Sequence, residues 1–109
     1  MNRKRTCVER GMGQELAEEV KRLFPGKTPK EIAAGLGIEI VYERPVDSSD
    51  LIRLSEYRDK KKQIAVFFRE VEHTAIAHEL FHHMESAKGL KMSRSLSEKE
   101  AEKFARSFE

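Results

Sequence analysis

Residues 71–86 read VEHTAIAHELFHHMES, and the spacing of their apolar side chains predicts a single amphipathic helix. At about 100° per residue, one arc of this helix is apolar and consists of Ile76, Ala77, Leu80, Phe81 and Met84. The opposite arc carries His78, His82 and Glu85, and Glu79 lies at its edge. The helix therefore has one face for packing and a separate face for chemistry.

The pentapeptide His78-Glu79-Leu80-Phe81-His82 within this helix has the HExxH spacing of zinc hydrolases. Two imidazoles four residues apart on a helix project from the same face and can bind one Zn²⁺, while Glu79 stands where it can hold a catalytic water. The pattern is short, and two exposed histidines on an ordinary amphipathic helix would also produce it.

A catalytic zinc site needs a third protein ligand and an open fourth position, and the C-terminal segment offers that ligand. Ser97 and Glu100 form a capping box that predicts a second helix from Ser97, with Ala101, Phe104, Ala105 and Phe108 as its buried stripe. Glu98 would lie in the first turn, where the helix dipole favours a carboxylate. We expect Glu98 to be the third ligand, and Glu102 to accept the second N–H of a ligating histidine.

A solvated helix face is the alternative for this acidic segment. Glu98, Glu100 and Glu102 would then pair with Lys99, Lys103 and Arg106. The two interpretations are compatible, because Glu100 and the lysines can face solvent while Glu98 does not.

Two segments together resemble a known family. Residues 75–82 (AIAHELFH) followed by residues 98–105 (EKEAEKFA) are similar to the ImmA/IrrE metallopeptidases, whose pattern is an "IAHELGH" helix and then an "ExxA(N/D)xFA" helix. Residues 31–40 also resemble the helix-to-strand element that precedes the site in that family. The resemblance covers the last third of the chain most closely, and it implies a zincin-like minimal metallopeptidase domain.

The resemblance implies a role for each matching residue. His78, His82 and Glu98 would be the zinc ligands, Glu79 would be the general base, and Glu102 falls where the family has Asn or Asp in contact with a ligand. The implied function is a cytoplasmic zinc metalloendopeptidase acting on a protein or peptide. Family members cleave transcriptional repressors in stress, phage or mobile-element circuits, so a DNA-binding repressor is the expected type of substrate.

Three departures from the family pattern favour an alternative function. Phe81 replaces the family's Gly and would either narrow the cleft or pack into the core. Glu85 and Ser86 stand where many members have Leu-His, and the chain ends at Glu109, where longer members continue. The alternative is a catalytically inactive regulatory or interaction module with the same fold. A purely structural zinc site is disfavoured, because it needs a fourth side-chain ligand and Glu85 lies too far along the helix.

Two further parts of a peptidase site are less well defined by the sequence. The sequence does not identify the donor that would stabilise the oxyanion. Four residues are candidates, each better explained as a structural or exposed residue: Tyr42, Tyr57, His73 and His83. The substrate would bind by strand addition to a sheet edge, for which we propose residues 63–68 or their hairpin partner.

Composition predicts one small domain, with residues 1–10 disordered. The chain has 109 residues, and its charged residues, 37% of the total, nearly cancel at +2, which argues against a dedicated nucleic-acid surface. It has neither a signal peptide nor an apolar run of about 20 residues, so we expect a cytoplasmic protein without a membrane segment. Cys7 is the single cysteine and is expected to be a free surface thiol.

The remaining elements complete an α+β fold. We predict a helix over 13–24, a short helix opened by the capping box of Thr28 and Glu31 and ending near Gly37, and a strand over 38–42. A loop over 46–50 leads to a β-hairpin with strands at 51–57 and 63–68. The expected architecture is thus two N-terminal helices, a sheet of about three strands, the HExxH helix and a closing helix.

Overall fold

The secondary structure consists of four α-helices, one short 3₁₀ helix (Arg69–Val71) and one three-stranded sheet within residues 3–45 and 54–109, the part that this computed structural model describes. For residues 3–10 only the backbone is described. In chain order the elements are α1 (Arg3–Leu23), α2 (Pro29–Gly35), β1 (Glu39–Tyr42), β2 (Ser55–Arg58), β3 (Gln63–Val66), α3 (Glu72–Ala87) and α4 (Arg94–Arg106). None of these helices is long and apolar enough to cross a membrane. The predicted α+β class is confirmed, while the predicted loop at 46–50 and the strand residues 51–53 lie outside the described ranges.

The two N-terminal helices differ in how well the sequence predicted them. α1 begins at Arg3, earlier than the expected start at Gly13 and within the segment 1–10 that was expected to be disordered, and it is kinked at Gly11 (φ 82°, ψ 164°). α2 has the predicted capping box, in which the Thr28 hydroxyl accepts the Glu31 N–H at 3.2 Å and the Glu31 carboxylate accepts the Thr28 N–H at 2.9 Å.

The sheet has the order β1-β3-β2, with β3 parallel to β1 and antiparallel to β2. The predicted hairpin is therefore confirmed as β2 and β3. Because β3 is central, the expectation that residues 63–68 form a free edge is wrong, and its apolar run is explained by burial on both faces. Within the described ranges, the edges are β1 and β2, so the hairpin partner is the edge strand next to α3.

The hydrophobic core lies between α3 and the other elements. All five residues of the predicted apolar arc of α3 are buried. Phe81 is completely buried, and its ring lies 5.9 Å from the ring of Phe104 on α4. The large side chain at position 81 thus packs into the core.

Helix α4 begins earlier than predicted. Its N-cap is Ser93, whose hydroxyl accepts the Leu96 N–H at 3.2 Å, so Ser97 lies inside the helix. The predicted capping box at Ser97 is therefore wrong. Glu100, which the box required at N3, instead accepts the N–H of Gly13 at 2.8 Å.

The burial of the acidic residues on α4 also differs from the expectation. Glu100 was expected to face solvent but is only 5% exposed, while the Glu98 side chain is 55% exposed. The reason lies in α1: the chain is not helical at Gly11, so the next turn has unpaired N–H groups, and the Glu100 carboxylate caps one of them.

Candidate metal centre

Helix α3 presents two imidazoles to one carboxylate of α4. The Nε2 atom of His78 lies 3.1 Å from Glu98 Oε1, and the Nε2 atom of His82 lies 3.1 Å from Glu98 Oε2. The three residues each offer one ligand atom within 4.8 Å of the others, so the group could hold a metal ion. The i, i+4 spacing on α3 brings the two rings to a centroid distance of 5.1 Å.

The packing of α4 against α3 places Glu98 at this position. Because the helix starts at Arg94, Glu98 lies in its second turn, where the effect of the helix dipole has largely decayed. The dipole argument made from the sequence therefore does not apply. The contact between the two helices brings the carboxylate to the histidines, with Ala101 buried about one turn and Phe104 about two turns further on.

The other ring nitrogen of His82 faces a residue that the sequence analysis did not assign to the site. Its Nδ1 atom lies 3.2 Å from Glu85 Oε1, and the same oxygen accepts the Ser97 hydroxyl at 2.8 Å. Glu102, the residue expected at this nitrogen, lines the neighbouring cleft. The i, i+3 spacing of His82 and Glu85 on one helix was the signal that could have identified Glu85.

Glu79 is buried beside the histidines and held by the edge strand. It is 6% exposed, and its Oε2 atom accepts a hydrogen bond from the Ser55 hydroxyl at 2.7 Å. A buried carboxylate needs such a donor, because an unpaired one would lose its hydration without compensation. No local pattern in the sequence pointed to Ser55.

A cleft of about 790 Å³ runs between β2 and α4, with α3 as its floor. Its lining includes both histidines, Glu79, Glu98, Glu102, Ser55 and Tyr57. Two arginines of α4, Arg94 and Arg106, also line it and were not anticipated. The candidate ligands and the candidate base therefore face one shared, open space.

Comparisons with protein-family models, curated proteins and solved structures find no match to this chain.

Strand β2 runs alongside α3, and the spacing of its alternate residues matches the spacing of the helical turns. Two residues along a strand advance about 6.6 Å, and four residues along a helix advance about 6 Å, so alternate strand residues can meet successive helical turns. Three hydrogen bonds connect α3 to β2 and the residue that follows it. They are Ser55 to Glu79 at 2.7 Å, Tyr57 with His83 Nδ1 at 2.8 Å, and Ser86 to Asp59 at 3.0 Å. These contacts hold the edge strand in register with α3.

The four candidate oxyanion donors differ in where they lie relative to the cleft. Tyr42 donates to Glu72 at 2.6 Å, and His73 lies 2.9 Å from the carbonyl oxygen of Phe108. Of the four candidates, Tyr57 alone is among the residues that line the cleft. Burial, with a contribution from Asp59, raises the pKa of its phenol to about 12, so Tyr57 keeps its proton at neutral pH.

His83 gives the fold a predictable pH dependence. Burial, reinforced by Lys62, lowers the pKa of its imidazole, so the folded protein binds this proton less readily than the unfolded chain. The stability associated with neutral His83 is present above the unfolded pKa of about 6.5 and is lost as the pH falls through the lower folded pKa.

We therefore expect the free energy of unfolding of the wild type to fall below about pH 6.5 more steeply than that of His83→Asn. Asparagine keeps a polar atom near Tyr57 but does not titrate. Urea unfolding of both proteins at a series of pH values, under one fixed zinc condition, measures the difference. Parallel curves for the two proteins would show that His83 does not contribute.

Proposed function

We propose that this chain is a zinc-dependent endopeptidase with a zincin-like fold, as its resemblance to the ImmA/IrrE metallopeptidases suggests. The observation that carries the proposal is the convergence of His78, His82 and Glu98 next to the buried carboxylate of Glu79. Zinc peptidases of this type use two imidazoles from one helix, a carboxylate from a second helix and an adjacent base.

The donor set fits zinc in chemistry and in spacing. Zn²⁺ binds imidazole nitrogen and carboxylate oxygen at about 2.0–2.2 Å, so two ligand atoms in a tetrahedral site lie roughly 3.3 Å apart. The two Nε2···O distances of 3.1 Å, one to each oxygen of Glu98, are close to that value, and one ligand atom from each of the three residues lies within 4.8 Å of the others. Three protein ligands leave one position for water or substrate, which is the pattern of catalytic zinc sites.

A structural zinc site is less consistent with these residues. Within the described part of the chain, the group that could hold a metal has three members. Glu85 faces the Nδ1 atom of His82, whereas the other two ligand contacts are made by Nε2 atoms. Glu85 is thus on the far side of the ring from Glu98 and does not supply a fourth ligand.

The side chains around the metal ligands would each have a role in peptide hydrolysis. Bound Zn²⁺ supplies a Lewis acid that polarises the scissile carbonyl and lowers the pKa of water toward neutrality. Glu79 accepts the proton of the attacking water and passes it to the leaving amine. Ser55 occupies one oxygen of Glu79 and so orients the carboxylate while its other oxygen is available to the water.

The edge strand β2 suggests how a substrate would bind. Leu54 and Ser55 line the cleft at one end of β2, and β3 pairs with the opposite side of the strand. An extended peptide could therefore add to β2 by backbone hydrogen bonds, which bind protein segments without requiring one sequence. By resemblance, the substrate would be a cytoplasmic protein such as a DNA-binding repressor.

Glu79→Gln provides the direct test of this function. We expect the variant to bind Zn²⁺ like the wild type but to hydrolyse peptides about 10²–10⁴ times more slowly, because an amide cannot accept the proton. The assay incubates zinc-loaded protein with a proteome-derived peptide mixture and detects new termini by mass spectrometry. Glu70→Gln, the same chemical change at an exposed residue near the start of α3, is the matched control and should retain full activity.

An inactive interaction module is the alternative that this experiment separates from an enzyme. If the wild type binds zinc and produces no new termini, or produces the same termini as Glu79→Gln, the peptidase proposal is rejected. The packing of Phe81 in the core removes one argument for that alternative, because this ring does not narrow the cleft.

A further inference from the structure

We propose that Glu85 and Ser97 are positioning residues that set His82 and Glu98 in place for the metal. The inference rests on the metal site of the proposed function, but it concerns how tightly the metal binds and does not require peptide hydrolysis. It assigns to Glu85 the contact with a ligating histidine that the sequence had suggested for Glu102.

The first step is the orientation of His82. Its Nδ1 atom lies 3.2 Å from Glu85 Oε1, and its side chain and that of Glu85 are only 18% and 16% exposed. A metal bound at Nε2, the atom that faces Glu98, would require the ring proton to be on Nδ1. A carboxylate accepts hydrogen bonds, and Glu85 Oε1 lies where it can accept that N–H. Glu85 would thereby hold the ring in the orientation and tautomer that can bind a metal.

The second step is the position of Glu98. Ser97, which is 7% exposed, donates its hydroxyl to the same Oε1 atom of Glu85 at 2.8 Å. Ser97 immediately precedes Glu98, so this bond joins α4 to α3 one residue from the third ligand. The Glu98 side chain itself is 55% exposed and gains little restriction from packing. The Oε1 atom of Glu85 therefore contacts both the ring of His82 on α3 and the residue next to Glu98 on α4.

The third step is a comparison with Glu102. Glu102 is exposed on α4 and lines the cleft, and among the described residues it makes no hydrogen bond to His78 or His82. Loss of a carboxylate that orients a metal-bound histidine typically lowers metal affinity by about 10–100-fold. That loss is expected for Glu85 and not for Glu102.

Zinc affinity of the full chain tests the inference. We would measure it by competition with a chromophoric chelator at fixed pH, for the wild type, Glu85→Ala, Glu85→Gln, Ser97→Ala and Glu102→Gln. Glu85→Ala should lose about 10–100-fold in affinity. Glu85→Gln and Ser97→Ala should lose less, because the amide still accepts from Nδ1 in one and the carboxylate still contacts His82 in the other. Glu102→Gln should bind like the wild type.

The double variant Glu85→Ala/Ser97→Ala shows whether the two residues act through one contact. Its affinity should be close to that of Glu85→Ala alone, because the bond from the Ser97 hydroxyl to Glu85, at 2.8 Å, is much shorter than the contact of the same hydroxyl with His82 Nδ1, at 3.4 Å. Circular dichroism and urea unfolding of each metal-free variant establish that it is folded. If Glu85→Ala does not fold, Glu85→Gln and Ser97→Ala still report the effect.

Two results would overturn the inference: unchanged affinity in the folded Glu85 and Ser97 variants, or an equal loss in Glu102→Gln. A wild-type chain that fails to bind zinc would reject this inference together with the proposed function. A chain that binds zinc with the expected dependence on Glu85, but cleaves nothing, would reject the peptidase alone.

Discussion

Metal binding is expected to disappear, from about one equivalent of Zn²⁺ per chain to near zero, when His82 is replaced by alanine. The change removes one of two imidazoles and leaves His78 and Glu98, a pair that cannot close a tetrahedral site without additional water. Equilibrium dialysis followed by elemental analysis measures the stoichiometry. His78→Ala should have the same effect, because both rings present Nε2 to Glu98.

His73→Ala is the matched control for this prediction. His73 lies on the same helix, but it is exposed and its Nε2 atom contacts the carbonyl oxygen of Phe108 at 2.9 Å. Its loss should leave the zinc content unchanged. A His82→Ala protein that still binds one equivalent with unchanged affinity would show that the metal is held elsewhere.

Zinc should also stabilise the wild type and have no effect on His82→Ala. A ligand that binds only the folded state adds about 2.7 kcal/mol when its concentration is one hundred times the dissociation constant. Because the ligands come from both α3 and α4, this energy opposes separation of the two helices. Thermal unfolding with and without added Zn²⁺ measures the stabilisation.

Gly13→Ala is expected to destabilise the fold by about 3 kcal/mol or more. A Cβ atom at Gly13 would lie 2.2 Å from the backbone oxygen of Glu100 and 3.1 Å from the backbone nitrogen of Phe104. Neither atom can rotate away, so α1 would have to move from α4 and weaken the hydrogen bond between the Gly13 N–H and Glu100. The gain in helix propensity, about 1 kcal/mol, is too small to offset this clash.

Gly35→Ala is the appropriate comparison, because Gly35 also lies in a helix and also has a close neighbour. Its added Cβ would lie 2.8 Å from an atom of the Phe24 ring, a side chain that can rotate. We therefore expect a change in unfolding free energy of less than about 1 kcal/mol, with the propensity gain and the adjustment of the ring nearly cancelling. Urea unfolding of both variants tests the contrast. Equal effects would show that the approach of α1 to α4 is not as close as the structure indicates.

Features that depend on local periodicity were predicted well. The apolar arc of α3, the capping box of α2 and the β2–β3 hairpin all arise from residues close together in the chain. The convergence of His78 and His82 also follows from helix geometry alone. Glu98 does meet the two histidines as predicted, but it is exposed and lies in the second turn, since the helix begins one turn earlier than the capping box indicated.

Features that depend on contacts between distant residues were missed. The apparent capping box of Ser97 with Glu100 indicated the wrong N-cap, because α4 is capped by Ser93. Glu100 is not available for that box, because it bonds to Gly13, which is 87 residues away in the chain. Likewise, the contact of Ser55 with Glu79 requires the packing of an edge strand on a helix.

By itself, the amino-acid sequence determined the α+β class, the helix that carries HExxH and the placement of His78 and His82 on one face of it, and it predicted Glu98 as their partner. Helical and strand periodicity are properties of neighbouring residues, so they can be read before the chain is folded. The tertiary structure alone decided that β3 is central, that Glu100 is buried while Glu98 is exposed, and that Ser97 on α4 donates to Glu85 on α3. These outcomes depend on how closely the helices and the sheet approach one another, because a hydrogen bond forms only when packing brings its donor and acceptor within about 3 Å.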